Sequence, residues 1–376
     1  YEWAVSPDGS RIAIVAERDG DTVSPERGVY VTALSDTVSQ SELLARIRDQ
    51  LAAELALREE AQRRFATLAA EIRPVTEAVS KDRIYSYARD LFQFDSKYIT
   101  QPGNARAIAY LDSVYRSFGY ETELQWFEPR PGVRTANVVA TLKGTVSPDA
   151  VYVVGSHFDS VQGGPGADDN SSGTTMLLET ARVLAGRPLP ATVKFVSFTG
   201  EEAGLLGSRE FVRRMQADSV RLVGVLNNDM MGWSNDQRLD NTIRYSNPGI
   251  RDVQHGAALV FSRLITYDAL YYKSTDAAAF YEAYGDIVGG FGSYPILGNP
   301  HYHQRHDVLE TINFEQVTEN TRANVATVML LASVPSRVTG LNVQRLQQSI
   351  ELRWQPAPPT SSRSSPRKRM HSLSPQ

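Results

Sequence analysis

His157 and Asp159 close the apolar run VYVVGSHFDS, Glu201 and Glu202 follow the run VKFVSFTGEE, and Asp229 follows VRLVGVLNND. Between the first two runs, the loop GPGADDNSSG carries Asp168 and Asp169. Further on, the stretch HYHQRHD holds His301, His303 and His306. Imidazole nitrogen and carboxylate oxygen are the ligands of catalytic zinc, which keeps one position open for water. Two metals ~3.5–4 Å apart clamp both oxygens of a displacement, and such a pair needs about five protein ligands, one of them a bridging carboxylate. The chain offers His157, one aspartate of 168 and 169, one glutamate of 201 and 202, Asp229, and one histidine of 301, 303 and 306. Asp159, two positions after His157, can return a hydrogen bond to the imidazole, as carboxylates behind metal-bound histidines do.

Singly, each residue has a plainer reading. Asp168-Asp169-Asn170 caps a helix starting near Ser171, Glu201 and Glu202 are first-turn carboxylates on a helix dipole, and two of the three histidines are loop surface. Their convergence outweighs these readings. The three apolar runs are rich in Val, Phe, Leu and Ile, the pattern of strands buried on both faces. Helical segments, 171–185 and 203–215, lie between them. Strand, helix, strand, helix, strand predicts a parallel sheet with right-handed crossovers, whose ligands sit outside the carboxyl ends of the strands. All these acids and imidazoles fall there. The G-x-S-x-G elbow, H-E-x-x-H and the P-loop are missing from the sequence. Gly289-Gly290-x-Gly292 is glycine-rich but lacks the following helix that phosphate binding requires.

The surrounding chain supplies the rest of an α/β domain over 77–334, a mostly parallel, mixed sheet sandwiched by helices. Residues 81–94, 105–118, 252–264, 276–284 and 314–331 read as helices, and 122–127, 136–142 and 287–291 as strands. Residues 35–76 form a connecting helix, ended by Pro74. Residues 1–34 read as three short strands around a Ser-Pro-Asp-Gly turn, and W-x-x-S-P-D-G-S-x-I-A resembles one repeat of a WD-type β-propeller. Residues 335–360 resemble the first two strands of a fibronectin type III domain, and the Ser-, Pro- and Arg-rich tail 361–376 is expected to be disordered. A length of 376 residues allows two or three domains. A net charge of −4 argues against nucleic acid as partner, and the absence of cysteine excludes thiolate metal sites. No apolar run approaches the ~18 residues of a membrane span. The chain opens at Tyr1 in mid-pattern, so a preceding leader is an expectation the sequence leaves open.

GSHFDS, GPGADDNSSG, TGEEAGLLGS, NNDMMG and YHQRHD, in this order, resemble the co-catalytic zinc aminopeptidase family, which includes secreted bacterial leucine aminopeptidases and, more distantly, glutamate carboxypeptidase and glutaminyl cyclases. The resemblance covers about residues 77–334. It implies two zinc ions held by His157, Asp169, Glu202, Asp229 and His303, with Asp169 as the bridge. It also implies Glu201 as general base and Tyr302 as a group polarising the substrate carbonyl, with Asp159 behind His157. Peptide or protein N-termini are the implied substrates, and a secreted or periplasmic location follows from the same likeness. The pattern departs at Gln304 and Val308, where Thr or Ser is usual, and at Asp276, where the histidine of an S-D-H motif is absent. His306 is an outside candidate for the last ligand. A carboxypeptidase or dipeptidase on the same scaffold is the nearest alternative, and a catalytically dead binding module is the alternative of another class. The sequence assigns no oligomeric state.

Overall fold

The computed structural model describes residues 2–17, 27–33, 39–234, 238–269, 275–294, 298–333, 339–345 and 350–355. The tail 361–376 lies outside them. Strands β1 (Glu2–Val5), β2 (Arg11–Glu17) and β3 (Arg27–Ala33) form a small antiparallel sheet. Helix α1 (Gln40–Glu77) opens on a capping box in which Ser39 and Glu42 satisfy each other's backbone N–H. It does not stop at Pro74, as the sequence predicts, but runs one further turn to Glu77. A proline deletes a single backbone bond here, so close to the end that little helix is lost, while Ile72 and Val75 beside it are buried in the core.

The domain proper follows with α2 (Lys81–Phe92), α3 (Pro102–Ser117), β4 (Thr122–Arg130), β5 (Val133–Leu142), β6 (Ser147–His157), α4 (Gly173–Leu184), β7 (Ala191–Phe198), α5 (Leu206–Ala217) and β8 (Leu222–Asn227). Then come β9 (Asp240–Tyr245), α6 (Pro248–Phe261), β10 (Ile265–Ala269), α7 (Ala277–Tyr284), β11 (Val288–Ser293) and α8 (Phe314–Ala332). A separate hairpin, β12 (Thr339–Arg345) with β13 (Ile350–Gln355), ends the described chain. Among the described residues no helix is long and apolar enough to cross a membrane.

The eight-stranded sheet runs β10-β9-β11-β8-β6-β7-β5-β4. Its centre, β11, β8, β6 and β7, is parallel, and the antiparallel pairings lie to either side. The three expected core strands are therefore neighbours, with β6 in the middle. Period-two alternation sends successive side chains to opposite faces. Thus Val154 and Phe195 join the larger cluster under the α2, α4, α6 and α8 helices. Their neighbours Val153 and Val196 join a second cluster with Phe198, Phe211 and Phe280, whose rings meet at 5.6–6.0 Å. Burial on both faces makes β6, β7 and β8 continuous apolar runs rather than alternating ones.

Candidate metal centre

The parallel register of β8, β6 and β7 brings their carboxyl ends to one edge, with His157 opposite Phe198 and Gly155 opposite Asn227. His157 Nε2 lies 3.3 Å from Asp229 Oδ1 and 3.3 Å from Asp169 Oδ1. His303 Nε2 lies 3.2 Å from Asp169 Oδ2 and 3.1 Å from Glu202 Oε2. The two oxygens of Asp169 therefore face different imidazoles. Donors around one tetrahedral zinc at ~2.0–2.1 Å stand about 3.3 Å apart, and these four separations match that edge length. Two groups of donor atoms gather within 4.8 Å, His157 with Glu201 and Asp229, and Asp169 with Glu202 and His303. Glu202 Oε1 is buried without a hydrogen-bond partner, as an atom reserved for a cation would be. Nitrogen and oxygen donors with no thiolate suit zinc, so the residues fit a pair of such ions.

The choice between the adjacent aspartates has a structural basis. Asp168 Oδ1 accepts from Gly232 N at 2.8 Å and Ser172 Oγ at 3.2 Å, and its Oδ2 accepts from Asn299 Nδ2 at 2.7 Å. Its carboxylate is already satisfied, whereas Asp169 is aimed at the imidazoles. Asp307, four residues after His303, clamps the same loop, since its two oxygens accept the N–H of Asp168 at 2.8 Å and of Asp169 at 3.0 Å. The loop turns at Gly166, with φ of 60°, where a Cβ would strike Asp169 O and Ser160 Cβ.

Asp159 supports the site in a different way from the one expected. His157 Nδ1 donates to the Asp159 backbone carbonyl at 3.2 Å, while the Asp159 carboxylate stands farther off, at 3.6 Å. That bond fixes the proton on Nδ1 and leaves Nε2 for a metal. The carboxylate instead accepts from Glu201 N at 3.2 Å and Glu202 N at 3.3 Å, so it sets the turn that carries both glutamates. Of the three clustered histidines only His303 reaches the centre. His301 and His306 turn to each other, Nδ1 to Nδ1 at 2.8 Å. Tyr302 stacks on the His303 ring at 3.8 Å and lines the cavity beside the centre.

Sequence reasoning missed Lys97, a fully buried lysine whose Nζ donates to Pro165 O in the loop leading to Asp169. In the stretch Asp-Ser-Lys-Tyr it looks like a surface residue, and only the fold shows it beneath the acidic cluster. Burial lowers its ammonium to about 8, with Asp307 and then Asp159 opposing.

Burial alone would lower the His157 imidazole, but Asp229 and then Glu201 outweigh it and hold it well above its ordinary value. Burial likewise opposes protonation of His303, yet hydrogen bonds to Asp169 and Glu202 raise it to about 10. Burial, then Asp169, pushes the Glu202 carboxyl up to about 7. Zinc binds the imidazole nitrogens only without their protons. Both histidines are raised, so at pH 7 these protons are present before loading and leave on loading. Zinc binding near neutrality should thus release about two protons or more, and apparent affinity should rise as pH rises. Calorimetric titration in buffers of different ionisation enthalpy measures this release, and equal heats in all buffers would refute it.

Residues 137–328, just over half of the chain, match peptidase family M28, and this span contains all five candidate ligands. The chain is 29% identical over 338 residues to a probable zinc metalloprotease of Pyrenophora teres f. teres, covering 76% of this chain and 72% of that protein. It is 25% identical over 290 residues to a probable leucine aminopeptidase of Arthroderma otae, covering 70% and 76%. The fold is similar to that of the Legionella pneumophila LapA aminopeptidase, with a TM-score of 0.63 at 21% identity over 70% of this chain and 74% of that one. A parallel sheet edge crowded with paired imidazoles and carboxylates, in a chain matched over this length, leads to one assignment: the protein belongs to peptidase family M28.

Proposed function

We propose that this protein is a zinc-dependent aminopeptidase in which His157, Asp169, Glu202, Asp229 and His303 hold two zinc ions and Glu201 is the general base. The observation that carries the reading is the divided carboxylate of Asp169, one oxygen toward His157 and the other toward His303. When bound there, zinc supplies Lewis acidity toward water and toward a carbonyl oxygen. Glu201 Oε takes a proton from the attacking water and returns it to the departing amine. Burial, against the opposing charge of His157, raises its carboxyl well above the ordinary value, in the direction that favours a proton shuttle. Glu201 also lies within ligand distance of the His157 and Asp229 donors, so its role as base rather than ligand is part of the proposal. Asp159 positions the glutamate turn through its two backbone bonds. Tyr302, held against His303, offers its hydroxyl to the substrate carbonyl.

An aminopeptidase needs a free α-amine on its substrate. Peptides with a free N-terminus should be cleaved at least about 100-fold faster than their N-acetylated forms, the scale expected when a buried polar contact loses its partner. Chromatography of both digests decides the matter. Equal cleavage of the acetylated peptide, with residues released from the carboxyl end, would make the protein a carboxypeptidase.

A further inference from the structure

We infer that Lys97 is a positioning residue of the metal centre, which fixes the backbone presenting Asp169 and His303 before any ion is bound; this rests on the two-ion reading above. Lys97 lies between α2 and α3 and is wholly buried. Its Nζ donates to Pro165 O, and Asp95 O stands 3.5 Å away. The loop so held contains Gly163-Gly164-Pro165-Gly166. Glycines give a backbone wide freedom, and three of them just before the bridging aspartate need a pin.

A buried ammonium is costly unless opposite charge and hydrogen bonds answer it. The carboxylates acting on Lys97 most strongly are those of Asp307 and then Asp159. Asp307 holds the amides of Asp168 and Asp169, and Asp159 holds those of Glu201 and Glu202. One cation thereby serves both carboxylates that shape the ligand-bearing turns. Burial lowers it only to about 8, so it keeps its proton at pH 7.

The main chain of Lys97 joins the same turns by a second route. Its N–H donates to Ser160 Oγ at 3.0 Å, and Ser160 Oγ donates to Gly164 O at 2.9 Å. On the other side, Asn104 Nδ2 donates to Lys97 O at 2.9 Å and to Thr199 Oγ1 at 3.0 Å. Thr199 stands two residues before Glu201. Gly164 is packed on the histidine loop, since a Cβ there would meet Gln304 O at 2.7 Å. Side chain and main chain of one residue therefore reach the approaches to Asp169, His303 and Glu202. An apolar side chain in this place would fill the space but hold neither loop.

Hydrogen exchange on zinc-free full-length protein, read by mass spectrometry, gives the first test. In the wild type, the peptide spanning 160–170 should be protected without zinc. Lys97→Met should lose that protection while peptides from β6 and β7 keep theirs. Zinc titration of Lys97→Met should show affinity about 10–100-fold weaker, the usual cost of losing a group that supports metal ligands. At saturating zinc, kcat should fall with KM little changed, because the fault lies at the reacting centre rather than in the substrate pocket. Lys97→Arg, which keeps a cation and its donors, should recover part of the affinity. Ser160→Ala cuts the same strut more gently and should show smaller losses of the same kind, so it replaces Lys97→Met if that variant does not fold. A Lys97→Met protein that unfolds at lower temperature but binds zinc as tightly as the wild type overturns the inference. So does a wild-type loop that exchanges freely until zinc is added. If the wild-type protein takes up fewer than two ions, the two-ion reading fails, and exchange in the zinc-free loop still decides the role of Lys97.

Discussion

Glu201→Gln is expected to lower turnover by about 10²–10⁴-fold, the usual worth of a positioned general base, and to leave zinc content unchanged. The amide keeps the shape of the side chain and removes only its capacity to carry a proton. Glu202→Gln should behave differently, because Glu202 Oε2 lies 3.1 Å from His303 Nε2 within the second donor group. Losing this ligand should lower zinc occupancy along with activity. The two glutamates leave β7 side by side, and Asp159 holds both of their N–H groups, so neighbouring positions project into different parts of the centre. Zinc analysis beside steady-state kinetics on both variants decides between the roles. Loss of zinc in Glu201→Gln, with retention in Glu202→Gln, would reverse them.

Asp169→Ala should have the broadest effect. Removing a residue that only supports a ligand typically costs 10–100-fold in metal affinity, and Asp169 faces both imidazoles itself. Affinity at both positions should therefore fall by more than about 100-fold, and activity should vanish at ordinary zinc concentrations. Elemental analysis of the purified variant should find well under one ion per chain. Two tightly held ions in Asp169→Ala would show that another carboxylate, with Asp168 the nearest in sequence, serves as the bridge.

Much of this centre is legible in the chain itself because β6, β7 and β8 are buried on both faces. Such strands must be written as unbroken apolar runs, and the residue ending each run is then conspicuous. The peripheral strands were harder to see. β9 and β10, Asp-Asn-Thr-Ile-Arg-Tyr and Ile-Thr-Tyr-Asp-Ala, are short and polar, and pairing along the sheet rather than their own pattern makes them strands. Asp159 lies beside His157, and its carboxylate serves the glutamate turn because backbone N–H groups, invisible in a sequence, converge on it. Asp307 and Lys97 depend on contacts across long stretches of chain and carry no local signal.

The clamp between the two loops has a consequence for biosynthesis. Asp307 holds amides 139 and 138 residues earlier in the chain, and Asn299 reaches Asp168 across 131 residues. A growing chain that has emerged only as far as β11 already contains His157, Asp169, Glu202 and Asp229, but lacks the Asp307 and Asn299 contacts to the loop that carries Asp169, and lacks His303. Contacts of such long sequence separation form late, because the chain entropy of closing them must be met first. Hydrolytic competence should therefore appear only after the last turn before α8 has docked, which spares the ribosome and its surroundings from a half-made peptidase.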